Sequence, residues 1–145
     1  METVVTTSLV RYEGACHCQA VGFAFHTRVP VAQWTVRACQ CTFCRAHGAV
    51  TTSDPAGEME FLIREPALIS RYQFGLRTAE FMVCARCGTY VGARMEVGAG
   101  VYGIVSVRAL SPMPVGLPDP VPMNYDGEDV GARGRRRESR WTPCR

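Results

Sequence analysis

Cys39-Gln40-Cys41-Thr42-Phe43-Cys44 is followed directly by Arg45-Ala46-His47-Gly48. Three thiols in six residues, spaced C-x-C-x2-C, are too dense for isolated core cysteines and have the pattern of metal ligands. Residues two apart on a strand point the same way, so Cys39 and Cys41 share a face. A tight turn or a single helical turn after them returns Cys44 to the same point. Three ligands are one fewer than a closed zinc site uses, and a zinc with three protein ligands keeps a position open for water or substrate.

The other cysteines decide how that position is read. Cys16 with Cys18 and Cys84 with Cys87 form two further pairs, and Cys144 stands apart near the C-terminus. The two pairs together supply four thiolates, enough for a tetrahedral ion that ties together regions far apart in sequence and contributes its binding energy to folding. Cys39, Cys41 and Cys44 then hold a second ion with one position open. His47, three residues from Cys44, and His17, between Cys16 and Cys18, are alternative fourth ligands that spacing does not exclude. Cys144 reads as an unpaired tail thiol.

Composition narrows the classes. The chain has 145 residues, 47% hydrophobic and 20% charged, which suits one soluble domain with its own core. No apolar run approaches the ~20 residues of a membrane span. Met1 to Val10 lacks the basic and apolar regions of a signal peptide, so a cytoplasmic protein is expected, where clustered cysteines bind metal in preference to forming disulfides. Lysine is absent and all 16 basic residues are arginine, which rules out Schiff-base chemistry through a lysine amine. Arg133 to Arg145 holds six arginines against one glutamate, a net +5, while the remainder nets −2. The positive charge therefore belongs to a C-terminal tail, and the near-neutral body offers no basic face for nucleic acid.

Taken in order, the chain reads as strands. Leu9 to Cys18 enters a turn at Gly14, and Ala20 to Phe25 alternates with period two. Gln33 to Ala38 delivers Cys39 and Cys41, and Ala49 to Ser53 resumes as strand after Gly48. Met59 to Ile63, Ala67 to Tyr72, Phe81 to Val83, Thr89 to Met95 and Val101 to Val107 bring the total to about eight strands. Cys84-Ala85-Arg86-Cys87-Gly88 is a hairpin knuckle whose glycine takes positive φ. Five prolines between Pro112 and Pro122 exclude regular strand or helix there. A helix over Asp126 to Arg140 is weakened by Gly127, Gly131 and Gly134. The class is mostly β: a body over residues 1–125 with zinc knuckles and a Pro-rich C-terminal segment, then an Arg-rich tail over residues 126–145.

Three motifs together are more specific than any alone. Gly14-x-Cys16-x-Cys18-x2-Val21, Cys39-x-Cys41-x2-Cys44-Arg45-x2-Gly48 and Cys84-x2-Cys87-Gly88 resemble, in order, the glutathione-dependent formaldehyde-activating enzyme family, also described as the CENP-V/GFA domain. The resemblance spans roughly residues 9–110. It implies an Mss4-like β-tent fold and two zinc ions, one structural on Cys16, Cys18, Cys84 and Cys87 and one catalytic on Cys39, Cys41 and Cys44. The sequence departs from the family's pattern after Pro112, where it contains no lysine and continues into the arginine run.

The chemistry so implied is that of a carbon–sulfur lyase, which adds an aldehyde such as formaldehyde to a small-molecule thiol such as glutathione, or removes it. His47 is the sequence-near candidate for the proton donor and Arg45 for a clamp on a substrate carboxylate. Phe43 and Tyr90 read as packing around the metal sites. The rival reading is a non-enzymatic zinc module with both ions structural, its surface binding a protein.

Overall fold

Strand formation follows the period-two segments closely. The computed structural model describes residues 8–145, so most of the reading of Met1 to Val10 falls outside the described residues. The elements are β1 (Val10–Ala15), β2 (Val21–Thr27), β3 (Val36–Cys39), α1 (Thr42–His47), β4 (Thr51–Thr52), β5 (Glu58–Ile63), β6 (Ile69–Tyr72), β7 (Glu80–Cys84), β8 (Tyr90–Val97), β9 (Gly100–Ser106), β10 (Val121–Met123), α2 (Val130–Arg140) and β11 (Thr142–Pro143). Short 3-10 turns precede β3 and β6 and follow β9. No described helix is long and apolar enough to cross a membrane.

Two sheets result. The smaller has the order β1-β2-β5, antiparallel throughout, and the larger runs β10-β3-β4-β9-β8-β7-β6, with β11 added to β9. Between them lies a core of Phe23 and Phe25 from β2, Met59 from β5, and Met82, Val91 and Val105 from the larger sheet. Alternate residues of the same strands, Phe81, Ala93 and Ile104, face the other way into a second cluster with Cys44, Tyr90 and Trp141. The central strands are thus buried on both faces, which accounts for their nearly continuous apolar sequence.

Three sequence readings change. Gly14 lies inside β1, paired with Phe23, not at a turn. A Cβ there would collide with the Phe23 ring and the Ala109 carbonyl, so close approach explains the glycine. The Pro-rich segment does contain a strand: β10 pairs in parallel with β3 at the sheet edge, where Pro122 and its missing N–H are tolerated.

The Arg-rich segment is also built into the body. Asp129 caps α2, its side chain accepting from Ala132 N at 2.7 Å, and Trp141 and Thr142 beyond the helix are buried. β11 then pairs with β9, and Cys144 N donates to Val101 O at 2.8 Å. Cys144 is therefore not on a loose tail; it is half-buried against the inter-sheet core, and burial pushes its thiol up.

Candidate metal centres and the adjoining cavity

The two expected cysteine sets are the two that come together. Cys16, Cys18, Cys84 and Cys87 form one group and Cys39, Cys41 and Cys44 another, with all sulfurs in a group within 4.8 Å of one another. Four thiolates around zinc at ~2.3 Å make a tetrahedron with edges of about 3.8 Å. The Cys16–Cys18 and Cys18–Cys84 separations are 3.7 and 3.5 Å, so the donor set fits a tetrahedral ion.

Local backbone makes each knuckle. Cys16 and Cys18 sit in the turn between β1 and β2, where Val21 N donates to Cys16 Sγ at 3.3 Å. Cys84 ends β7, and Gly88 at φ +78° returns the chain so that Gly88 N reaches Cys84 O at 2.8 Å. One hairpin belongs to each sheet, so an ion here fastens the sheets together. Burial first, with the neighbouring sulfurs adding to it, pushes Cys16 up to about 11. A cation is what removes such a proton.

The triplet is held differently. Cys39 ends β3, Cys41 caps α1 with Sγ accepting from Cys44 N at 3.3 Å, and Cys44 lies on the buried side of that helix. Gly48, in the left-handed conformation at φ 58°, ends α1 by donating to Arg45 O. Phe43 anchors the helix from outside, with rings of Phe81 at 4.8 Å, Phe74 at 5.3 Å and Tyr90 at 5.3 Å. The sulfurs of Cys39 and Cys41, with burial added, raise Cys44 strongly, whereas hydrogen bonds from Cys39 and Cys44 hold Cys41 low. Three thiolates at this distance repel one another, and a cation between them fits the donor set.

No histidine or carboxylate joins either group among the described residues. His47 is exposed on α1, its Nδ1 3.1 Å from Phe43 O and its ring 4.3 Å from that of Phe43. Arg45 is exposed as well, and so is His17.

Cys39, Cys41 and Cys44 border a cavity of about 100 Å³. Neither His47 nor Arg45 lines it. Its apolar wall is Phe74, Phe81, Ile104 and Trp141; its polar wall includes Arg37 from β3, Tyr125, and Arg136 and Arg137 from α2. Tyr90 stands behind the triplet, its hydroxyl buried without a hydrogen-bond partner. Burial first, then the charge of Cys44, Cys39 and Cys41, raises its proton affinity well above that of a free phenol. Tyr90 faces this side because of a bulge: Met82 pairs with Gly92 and Val83 with Tyr90, leaving Val91 unpaired. The extra residue turns Tyr90 onto the face of Ala93 and Met95. Sequence reading placed Tyr90 as packing around the metal sites, where it lies, and missed Arg37 and the helix arginines; the lone signal for the last was the concentration of charge after residue 132.

Fold and sites together define a mostly β protein with two cysteine clusters suited to metal ions. The family model for the glutathione-dependent formaldehyde-activating enzyme matches residues 11–112, and the chain belongs to that family. A crystal structure of a Rhodobacter sphaeroides protein is similar in fold, with a TM-score of 0.55 at 29% identity over 76% of this chain and 97% of that one.

Proposed function

We propose that this protein is a zinc-dependent carbon–sulfur lyase that adds an aldehyde such as formaldehyde to a thiol such as glutathione, or reverses that addition. The supporting observation is a three-sulfur cluster that borders a cavity and has no fourth protein donor among the described residues. In this reading the chain holds two zinc ions, the four-thiolate one structural. Zinc on Cys39, Cys41 and Cys44 supplies a soft centre that keeps a substrate thiol deprotonated.

In the addition, a sulfur lone pair forms the carbon–sulfur bond, the carbonyl π pair moves onto oxygen, and that oxygen takes a proton. Tyr90, kept as O–H by burial, lies behind the triplet and outside the cavity lining, so in this proposal its hydroxyl donates a hydrogen bond to the developing oxyanion only where substrate binding opens a path to it. The apolar wall of Phe74, Phe81, Ile104 and Trp141 excludes water and strengthens that interaction. In this proposal the acid role expected of His47 passes to Tyr90 behind the triplet and the clamp role expected of Arg45 to the arginines of the cavity wall; His47 remains the ring that packs on Phe43.

Metal analysis and two variants test the reading. Purified protein should carry two zinc ions per chain. Cys41→Ala should lose one and keep its fold, whereas Cys84→Ala should unfold. Unfolding of both variants, or full metal content in Cys41→Ala, overturns the proposal.

A further inference from the structure

Two arginines beside the triplet are buried with only neutral hydrogen-bond partners. Arg37 is 8% exposed and Arg137 is 7% exposed. Neither forms a salt bridge among the described residues, although both line the cavity. Arg37 donates to Ser53 Oγ at 2.9 Å, and Arg137 donates to Thr78 Oγ1 at 2.9 Å and stacks 4.6 Å from the Trp141 ring. Those partners are neutral, and Arg137 Nε is buried with no partner at all. The hydroxyl of Tyr125, on the same wall, is also buried and unpartnered. Glu128 and Cys39 act on Arg137 only through space, and both Glu128 oxygens are engaged by Arg133 and Arg136. The wall's one carboxylate, Asp126, is exposed. A buried guanidinium without a counter-ion is strongly unfavourable unless a ligand brings the charge.

Size adds a second restriction. A cavity of about 100 Å³ is well below the roughly 300–1,000 Å³ of sites that enclose drug-sized ligands. It accommodates a thiol and a short arm, not a whole tripeptide. The residues that narrow it (Tyr125, Arg136, Arg137 and Trp141) all lie beyond residue 112, where the family match ends. Metal ligands lie inside the matched region and most of the polar wall lies outside it, so substrate choice here is this chain's own.

We infer that Arg37 and Arg137 seat the carboxylate of a compact thiol, selecting a short mercaptocarboxylic acid as the substrate that presents its sulfur to the Cys39–Cys41–Cys44 cluster. The inference rests on the proposed thiol chemistry for the identity of the sulfur end, and on the unpaired arginines for the anionic end.

Calorimetric titration of the zinc-loaded protein separates the two. The probes are 3-mercaptopropionate, 2-mercaptoethanol, propionate and glutathione. The acid thiol should bind on the order of tenfold or more tighter than 2-mercaptoethanol, as charge-assisted bonds to guanidinium require. It should also bind at least as tightly as glutathione. Arg37→Gln should bring the two small thiols to within a few-fold of each other, mainly by weakening the acid thiol, and Arg137→Lys should do so in part. Equal binding of the two small thiols by the unaltered protein overturns the anion seat and leaves the lyase reading intact. Tenfold tighter binding of glutathione overturns the size restriction. Arg37-dependent binding of propionate as tight as that of 3-mercaptopropionate, with no binding of 2-mercaptoethanol, keeps the seat and defeats the thiol chemistry. Absence of binding by all four probes defeats both.

Discussion

Replacing Tyr90 with Phe should change stability and catalysis in opposite directions. The Tyr90 hydroxyl is buried and has no hydrogen-bond partner, so its removal breaks no bond in the folded protein. It also lifts a desolvation penalty of about 1–3 kcal/mol for an unsatisfied buried polar group. With an unfolding entropy of about 2.1 cal/mol/K per residue over 145 residues, each kcal/mol corresponds to a Tm shift of roughly 3 °C. The variant should therefore melt at the same temperature or up to roughly 10 °C higher. If the hydroxyl donates to the developing oxyanion, its loss should lower kcat by about 10²–10³, as for one donor of an oxyanion hole. Calorimetric melting of zinc-loaded protein reads the first effect, and turnover of an S-hydroxymethyl thiol reads the second. A variant that melts lower with kcat unchanged would refute the reasoning, since Tyr90 would then be a packing residue whose hydroxyl does no chemistry.

Two further outcomes concern the C-terminal segment. Trp141→Ala should cost about 3–5 kcal/mol, because the ring is 5% exposed and packs with Ile104, Phe81 and the Arg137 guanidinium; a chemical-denaturation loss below 1 kcal/mol would show that the segment is not part of the core. Glu128 is held below its usual carboxyl range, first by its hydrogen bonds to Arg136 and then by its contacts with Arg133. A carboxyl lowered on folding adds stability above its unfolded pKa and loses it as pH falls through the folded value. The stability advantage of the unaltered protein over Glu128→Gln should therefore be constant near neutrality and shrink below pH ~4.5. A difference that stays constant from pH 6 to pH 3 would sink this account of how α2 is held.

The cysteine clusters show how far local pattern reaches. Their spacing groups the ligands into two pairs and a triplet, because C-x-C at the end of a strand and C-x-x-C-G at a hairpin fix sulfur positions through a few backbone torsions, while the structure alone leaves His17 and His47 out of both groups. The period-two runs likewise locate most strands. Reading faltered where distant parts of the chain override local preference. α2 carries Gly131 and Gly134 and a dense run of like charge, a poor helix by propensity. It forms because Asp129 caps it, Glu128 bridges Arg133 and Arg136, and Trp141 closes its end against the second core. β10 likewise exists only because β3 offers it an edge.

Sequence by itself thus determined the sheet-rich class and the grouping of the thiols into pairs and a triplet, since each depends on residues near one another in the chain. Tertiary structure alone decided what surrounds the triplet. His47 and Arg45, adjacent in sequence, sit on the exposed side of a six-residue helix, because Cys44 must turn inward. Tyr90 reaches the triplet through a bulge opposite Met82, and Arg37, Tyr125 and Arg137 meet from strand, loop and terminal helix. Ligand spacing is a local property of the backbone; a cavity wall is a property of which surfaces pack together.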